Sequence, residues 1–166
     1  MQATFNITEQ DYVKSAIING EPTRKTKIFH FTVDALLILA GTLSFLNGNY
    51  ALAGAMFGTA IGAVILPFSI KKLFGPLLLK RHYKKYRQIQ RSISVQLTTD
   101  GIFYSTDSGT ALLKWADIFS WRESSEYILV YVAPKIYHIL PTRLIELGFP
   151  IEDLKTALHN NVGAAT

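Results

Sequence analysis

The sequence predicts an α+β membrane protein in which a transmembrane helical hairpin precedes a small β barrel or sandwich that ends in a helix. Three observations predict this fold class. Two apolar segments of helical length lie close together, a strongly basic stretch follows them, and the rest of the chain alternates short β-rich segments with turn residues. At 166 residues, the chain has room for one modest domain besides the apolar segments.

Two segments are long enough to cross a hydrocarbon layer of about 30 Å, which takes roughly 20 helical residues. The first runs from about Ile28 to Leu46 with Asp34 as its one acidic residue, and the second runs from Tyr50 to Ile70 without any charge. At mid-helix Asp34 would cost about 2.5 to 3.5 kcal/mol, which the apolar residues of the same segment offset. We therefore predict two transmembrane helices.

The spans are separated by Asn47, Gly48 and Asn49, which are typical turn residues, so the two helices should be antiparallel neighbours. Basic residues flank the outer ends of both spans and are absent from the turn; they are Arg24, Lys25, Lys27, Lys71 and Lys72. Because such residues stay on the cytoplasmic side, we expect a multi-pass protein of the cell inner membrane with both termini in the cytoplasm. The first 27 residues are too polar for a cleaved signal peptide.

Three glycines, Gly54, Gly58 and Gly62, recur every four residues in the second span and leave one helix face almost bare. A face of this kind permits close helix packing in lipid. Our preferred interpretation is packing against the first span of the same chain, and the alternative is a homodimer.

His30 and Asp34 share a face of the first helix, where they could pair with each other or with Lys27. Ionisable residues at membrane depth are candidate functional residues. Asp34, however, lies only about 9 Å along the helix from its predicted start. Because two helices enclose no transport path, we favour a structural role for this pair.

Residues 71–91 form a connector that carries eight Lys or Arg residues and no acidic residue. Pro76 suits the first turn of a new helix, which we expect along the inner membrane surface, where each basic residue contributes about 1 kcal/mol on an anionic leaflet. The predicted contacts to lipid headgroups are made by Lys71, Lys72, Lys80, Arg81, Lys84, Lys85 and Arg87. The preferred interpretation is that this charge only sets the topology, and the alternative is specific recognition of an anionic lipid.

The predicted organisation places an N-terminal strand and helix in residues 1–27, the hairpin in 28–70, the connector in 71–91, a β domain in 92–162 and a tail in 163–166. Strands are predicted at about 93–97, 102–104, 111–115, 118–122, 126–132 and 135–140, with a helix at about 150–160. Phe5 and Ile7 alternate with polar residues, so residues 3–8 are a candidate additional strand of this domain. Trp115 and Trp121 should fill the core or line an interface.

No residue pattern indicates catalysis, a cofactor or a metal site. The chain has no cysteine, and its four histidines show no spacing typical of metal ligands. Ser108 lies in an Asp-Ser-Gly sequence but lacks the strand-to-helix elbow of a nucleophile. We therefore predict neither an enzyme nor a cofactor.

The charge distribution argues against nucleic acid as a partner. The net charge of +5 comes from the connector, whereas the chain from Ser92 onward has five basic and eight acidic residues. Lys135, His138 and Arg143 are the candidates for an anion-binding rim of this domain, but solvated side chains are the preferred interpretation.

Several short motifs carry a family resemblance; they are Thr8-Glu9-Gln10-Asp11-Tyr12, Thr99-Asp100-Gly101-Ile102, Trp115-Ala116-Asp117-Ile118, Tyr127-Ile128-Leu129-Val130-Tyr131 and Leu140-Pro141-Thr142-Arg143. With the two-span hairpin, they resemble the YcxB-like family of bacterial membrane proteins over nearly the whole chain. This resemblance implies a pleckstrin-homology-like (PH-like) domain behind a membrane hairpin. It implies no established activity and no active-site residues.

An anchor joined to a domain without catalytic residues leads to two functional hypotheses. The first is a non-enzymatic inner-membrane protein whose cytoplasmic PH-like domain binds a protein partner or membrane lipids, anionic ones in particular. The second is an oligomeric small transport or stress-response component that acts through the helical hairpin.

Overall fold

The computed structural model describes residues 2–22 and 24–165, and for Lys71 it describes the backbone alone. The chain divides into two compact units. The hairpin unit comprises residues 20–78, and the β unit comprises residues 1–19 together with residues 79–166. The hairpin unit is therefore an insertion within the sequence of the β unit.

The hairpin unit contains two long apolar helices, α2 (Arg24–Leu46) and α3 (Tyr50–Ser69). Between them Gly48 has a φ of +74°, a left-handed conformation that suits glycine. The Asn49 side chain then accepts a hydrogen bond of 3.3 Å from the backbone N–H of Leu52 and caps α3. The predicted pair of apolar helices with a tight turn is confirmed.

Close packing between α2 and α3 centres on Gly41, which is the only buried residue of α2 among those described. A Cβ atom added to Gly41 would lie 2.9 Å from the ring of Phe57, so the missing side chain makes room for the aromatic ring. Ala53 and Ala60, one helical turn to either side of Phe57, are buried as well. Small residues on both helices thus allow the approach.

The glycine face of α3 does not contribute to this packing. A Cβ atom added to Gly54, Gly58 or Gly62 would meet no heavy atom within 4 Å in the described part of the chain. Our preferred interpretation, in which these glycines pack against the first span, is therefore wrong, because α3 turns a different side toward α2. Their predicted role in helix packing can concern only a contact outside the hairpin.

The helix does not stop at the end of α3. A π-helical turn (Ile70–Phe74) leads into α4 (Gly75–Lys85), so that helical structure continues from Tyr50 to Lys85. Pro76 explains the wide turn, because its ring would clash with the carbonyl group four residues earlier in a regular helix. The helix predicted to start at Pro76 is confirmed as α4, although no break precedes it.

The β unit contains two antiparallel sheets. The first sheet has the order β1 (Gln2–Asn6), β2 (Ser92–Leu97), β3 (Gly101–Thr106) and β4 (Gly109–Lys114). The second has the order β5 (Ser120–Glu123), β6 (Tyr127–Ala133) and β7 (Ile136–Pro141). Because β1 pairs with β2, the expectation that residues 3–8 add a strand to the β domain is confirmed.

Two helices complete the β unit, α1 (Glu9–Asn19) after β1 and α5 (Ile151–Asn161) near the C-terminus. The side chains of Leu154 and Leu158 in α5 are fully buried in the core. Trp121 is 4% exposed and its Nε1 donates to the carbonyl oxygen of Gly163 at 2.8 Å. An α+β fold with a C-terminal helix and a core tryptophan is thus confirmed.

Strand β6 is buried from Tyr127 to Tyr131 because both of its faces are covered. Successive side chains of a strand point to opposite faces. On one face Tyr127 bonds to Asp11 of α1. On the other, Val130 lies opposite His138, whose ring stacks on Tyr104 of the first sheet. This double burial explains the uninterrupted apolar run, which is typical of a strand between two layers.

Asp11 is 2% exposed and links the two parts of the β unit. Its carboxylate accepts two hydrogen bonds from the guanidinium of Arg143, at 2.6 and 2.5 Å, and one from the Tyr127 hydroxyl at 3.0 Å. Thr8 and Asp11 also form a capping box at the start of α1, in which the Thr8 N–H donates to the carboxylate and Thr8 Oγ1 accepts from the Asp11 N–H. Every oxygen of the buried charge therefore has a partner.

We expect acid to weaken the β unit through Asp11. Burial alone would raise the pKa of Asp11, but the hydrogen bonds from Arg143, Thr8 and Tyr127 lower it from 3.8 to about 2. The charged carboxylate thus stabilises the fold above pH 4, and roughly 2 kcal/mol should be lost between about pH 4 and pH 2. Guanidinium unfolding of the whole chain in nanodiscs measures this, because both tryptophans lie in the β unit.

The matched substitutions are Asp11→Asn and Glu126→Gln. Asp11→Asn should cost about 3 kcal/mol at pH 7 and remove most of this acid dependence, since it breaks a buried pair. Glu126→Gln removes the exposed pair with Lys14 and should cost less than about 1 kcal/mol. Equal effects of the two substitutions would contradict the central role of Asp11.

Candidate functional site

A cleft in the β unit has a volume of about 760 Å³. It lies beside β7, the edge strand of the second sheet, and is also bounded by the inner side of the first sheet and by α1. Its lining is mainly apolar and includes Phe5, Ile7, Ile93, Ile136 and Ile139. Ligand pockets in proteins commonly have volumes of about 300 to 1,000 Å³ and apolar walls of this kind.

Tyr104 and His138 form a stacked pair on the wall of the cleft, with ring centroids 4.6 Å apart and ring planes at 21°. Tyr104 comes from β3 and His138 from β7, so the pair also joins the two sheets. Burial raises the pKa of Tyr104 and lowers the pKa of His138. Both rings are therefore uncharged at neutral pH.

The hydroxyl of Tyr104 is buried and has no hydrogen-bond partner among the described residues. The same is true of Tyr131, which does not line the cleft. A buried hydroxyl without a partner costs about 1 to 3 kcal/mol. Tyr104 thus carries an unsatisfied hydroxyl whose oxygen is not exposed to solvent.

One comparison with known proteins gives a match. The family model described as YcxB-like protein matches residues 97–158, from the last residue of β2 to α5. Residues 97–158 are YcxB-like. The resemblance seen in the sequence is confirmed for this segment, which is shorter than the nearly whole-chain match we expected. No curated protein matches the chain, and no solved structure matches it.

The YcxB-like segment supplies Tyr104, His138 and the turn residues at the cleft mouth, whereas Phe5 and Ile7 lie outside it. The cleft is therefore completed by the N-terminal strand, which pairs with β2 just before the segment begins. The sequence of the YcxB-like segment alone does not indicate that Phe5 and Ile7 form one wall of the cleft.

Neither interpretation of Lys135, His138 and Arg143, the preferred one of solvated side chains or the alternative of an anion-binding rim, holds for all three residues. Lys135 and His138 both line the cleft, one at its exposed mouth and one at its wall. Arg143 does not line it, because its guanidinium is held by the buried carboxylate of Asp11. The capping-box spacing of Thr8 and Asp11 was a signal in the sequence for the start of α1, but not for the burial of Asp11.

The basic connector uses part of its predicted headgroup surface for contacts within the β unit. Lys80 pairs with Glu9 at 3.5 Å, and the Tyr83 hydroxyl donates to the carbonyl oxygen of Ile7 at 2.8 Å. His82 stacks on Tyr12 and is hydrogen-bonded to its hydroxyl. These contacts attach the end of α4 to α1.

The other basic residues of the connector differ in their surroundings. In the hairpin unit, Lys72 lies 4.8 Å from the centre of the Phe68 ring, and the side chain of Lys71 lies outside the description. Four further predicted headgroup contacts are exposed and have no ion-pair partner among the described residues; they are Arg81, Lys84, Lys85 and Arg87. Their contact with lipid headgroups stays a prediction.

His30 and Asp34 are not brought together as a pair. His30 is exposed and its ring meets Phe29 edge to face, and no ion pair joins it to Asp34 in the described part of the hairpin. Asp34 lines an open, otherwise apolar groove of about 520 Å³ between α2 and α3, together with Phe57 and Ala60. The role of these two residues stays a prediction.

Ser108 and the scattered acidic and histidine side chains form no recognisable reaction centre. The Ser108 hydroxyl accepts a hydrogen bond of 2.8 Å from Arg91 and lies 3.5 Å from the hydroxyl of Thr106. No group of three or more His, Asp or Glu side chains within residues 2–22 and 24–165 could hold a metal ion.

Removing the hydroxyl of Tyr104 should not lower the free energy of unfolding of the ligand-free protein. We expect Tyr104→Phe and Tyr131→Phe to leave the free energy of unfolding unchanged or to raise it by about 1 kcal/mol. Tyr127→Phe should lower it by about 1 kcal/mol, because this hydroxyl donates to Asp11. Tryptophan fluorescence during guanidinium unfolding gives all three values, and a loss at Tyr104 as large as at Tyr127 would show that Tyr104 has a partner.

Proposed function

We propose that the chain is a non-enzymatic protein of the inner membrane that presents a cytoplasmic PH-like domain for binding a lipid or a protein partner. The observation that carries this proposal is the exposed apolar surface of the hairpin unit. Large side chains around both helices are exposed, among them Phe31 at 77% and Leu46 at 74%. Both helices are long and apolar enough to span a membrane, and lipid would cover this surface.

The PH-like assignment is part of the proposal and rests on the order of the elements. A four-stranded and a three-stranded antiparallel sheet followed by one C-terminal helix are the arrangement that the YcxB-like resemblance implies. Here the first strand comes from the N-terminal side of the hairpin. The cleft between the sheets supports a binding function for this domain.

The connectivity of the chain supports a topology in which both termini lie on the same side of the membrane. The segments before and after the hairpin, residues 1–19 and 79–166, belong to the same compact unit. A hairpin of two spans returns the chain to the side on which it entered, which such a unit requires. The basic residues at both outer ends favour the cytoplasmic side.

Single cysteines can test this topology, because the natural chain has none. We expect Asn47→Cys, in the turn between α2 and α3, to react with a membrane-impermeant maleimide in intact cells. Asn160→Cys, exposed on α5, should react only after the cells are opened. Labelling of Asn160→Cys in intact cells, or a chain that stays monodisperse in buffer without lipid, would overturn the proposed anchoring.

A second candidate is an oligomeric transport or stress-response component that acts through the hairpin. The open space over Gly54, Gly58 and Gly62 favours it, because these positions are not used between α2 and α3. Small residues at this spacing allow helices of two molecules to approach closely in lipid.

The glycine face is tested by Gly58→Leu in membranes. If copies associate through this face, we expect Gly58→Leu to reduce a crosslinked dimer by about tenfold, since the leucine would prevent close approach. Ala63→Leu is the matched control, because residue 63 is exposed about 140° around the same helix. A dimer that survives Gly58→Leu, or crosslinking that yields monomer alone, would exclude this candidate.

A further inference from the structure

Helix α4 has two sides with different surroundings, and one of them is held by α1. Lys80 pairs with Glu9 at 3.5 Å. His82 stacks on Tyr12 and is hydrogen-bonded to its hydroxyl. The Tyr83 ring also meets Tyr12, with centroids 5.9 Å apart. These contacts fix which side of α4 points away from α1.

The side of α4 that points away from α1 is positively charged. Its cations are Arg81, Lys84 and Lys85, which we call the cationic face. At about 100° per residue, they point about 160° away from the three residues that contact α1. All three are exposed, and none has an ion-pair partner among the described residues. Residues 71–91 contain no Asp or Glu, so the connector itself supplies no counter-charge.

Two leucines precede the cations on the same side of the helix. Leu77 and Leu78 are 60% and 63% exposed, and Arg81 follows Leu77 by about one helical turn. Exposed leucines followed by cations match a lipid leaflet, because its apolar layer lies directly beneath its charged headgroups. A soluble anion would leave both leucines in water.

The orientation of the hairpin does not require this arrangement. Basic residues count for orientation wherever they lie around a helix, and Arg24, Lys25, Lys27 and Lys72 flank the two spans more closely. The cationic face, by contrast, is confined to the side of α4 that has no contact with α1. A negatively charged surface as its partner explains this one-sided placement.

We propose that the cationic face of α4 binds anionic phospholipid of the cytoplasmic leaflet, with Leu77 and Leu78 in the apolar layer and the three cations at the phosphate groups. This inference rests on the membrane location proposed above. It goes beyond that location because it assigns the lipid contact to one side of one helix, which lies outside the YcxB-like segment. Since the opposite side contacts α1, this helix would connect the leaflet with the β unit.

The test uses the whole chain in nanodiscs that contain phosphatidylcholine and phosphatidylglycerol. Gln88→Cys, exposed just after α4 in a chain without cysteine, carries a fluorescent reporter. A doxyl group on the upper acyl chain of either lipid quenches the reporter on contact, so titration with each labelled lipid gives its relative association. We expect at least about a fivefold preference for phosphatidylglycerol. Equal quenching by both lipids, or no quenching by either, would overturn the proposal.

One lysine of the cationic face and one lysine elsewhere provide the matched comparison. Lys84→Gln should lower the preference for phosphatidylglycerol about fivefold, which is the contribution of one basic residue near an anionic surface. Lys114→Gln should leave the preference unchanged, because this exposed lysine lies at the end of β4. Equal losses would reveal an effect of net charge alone and contradict the assigned face.

Lys80 tests the two sides of the helix against each other. Lys80→Gln should change the lipid preference less than Lys84→Gln does, because the Lys80 ammonium is paired with Glu9. An equal effect of the two substitutions would refute a one-sided face.

Two further measurements separate lipid binding from the other roles of these charges. Inorganic phosphate should displace labelled phosphatidylglycerol no better than chloride at equal ionic strength, and stronger displacement would replace the leaflet by a soluble phosphate ligand. The double variant Lys84→Gln/Lys85→Gln should keep Asn160→Cys protected from the maleimide in intact cells. Labelling in that variant would mean that these lysines set the topology, contrary to the proposal.

Failure of the membrane anchor has a different signature. A chain that stays monodisperse in buffer, yet floats with phosphatidylglycerol vesicles and is released by about 1 M salt, would refute the anchor and support the cationic face. A chain that remains in the membrane after the salt wash and is quenched equally by both lipids would refute the cationic face alone.

Discussion

The β unit depends on one buried carboxylate whose partners come from both sides of the hairpin insertion. Thr8 binds Asp11 from the N-terminal side, while Tyr127 and Arg143 bind it from the C-terminal side. A buried charge is tolerated only with complete pairing, so the two parts of the chain must meet for Asp11 to remain ionised. The hairpin segment between them therefore begins and ends at a single folded unit.

Local patterns were enough to predict most elements, and long-range contacts were not. The two apolar helices follow from length and composition, and the strands follow from alternation and turn residues. The rotation of α3 about its axis could not be predicted, because apolar side chains surround the whole helix and give no preferred face. That rotation is decided by the fit of Phe57 against Gly41, a contact between two residues that no periodicity relates.

At the candidate site, too, local proximity could be predicted from the sequence and long-range contacts could not. Lys135, in the turn before β7, and His138, on β7, lie three residues apart in the sequence, so their proximity was predictable. Arg143 was misplaced because its partner, Asp11, lies 132 residues away in the sequence. Tyr104 was missed for another reason: strand alternation predicts that it faces the core, but it does not tell whether its hydroxyl finds a partner there.

The family match marks the recognisable part of the sequence, and the folding unit is larger. A fragment that begins at Ser92 would keep the whole YcxB-like segment but lose β1, so the buried side chains of Phe5 and Ile7 would leave the core. It would also lose Asp11 and leave Arg143 without its carboxylate. Because the same N-terminal residues form one wall of the cleft, an isolated C-terminal fragment would lack both the stability and the binding surface of the whole chain.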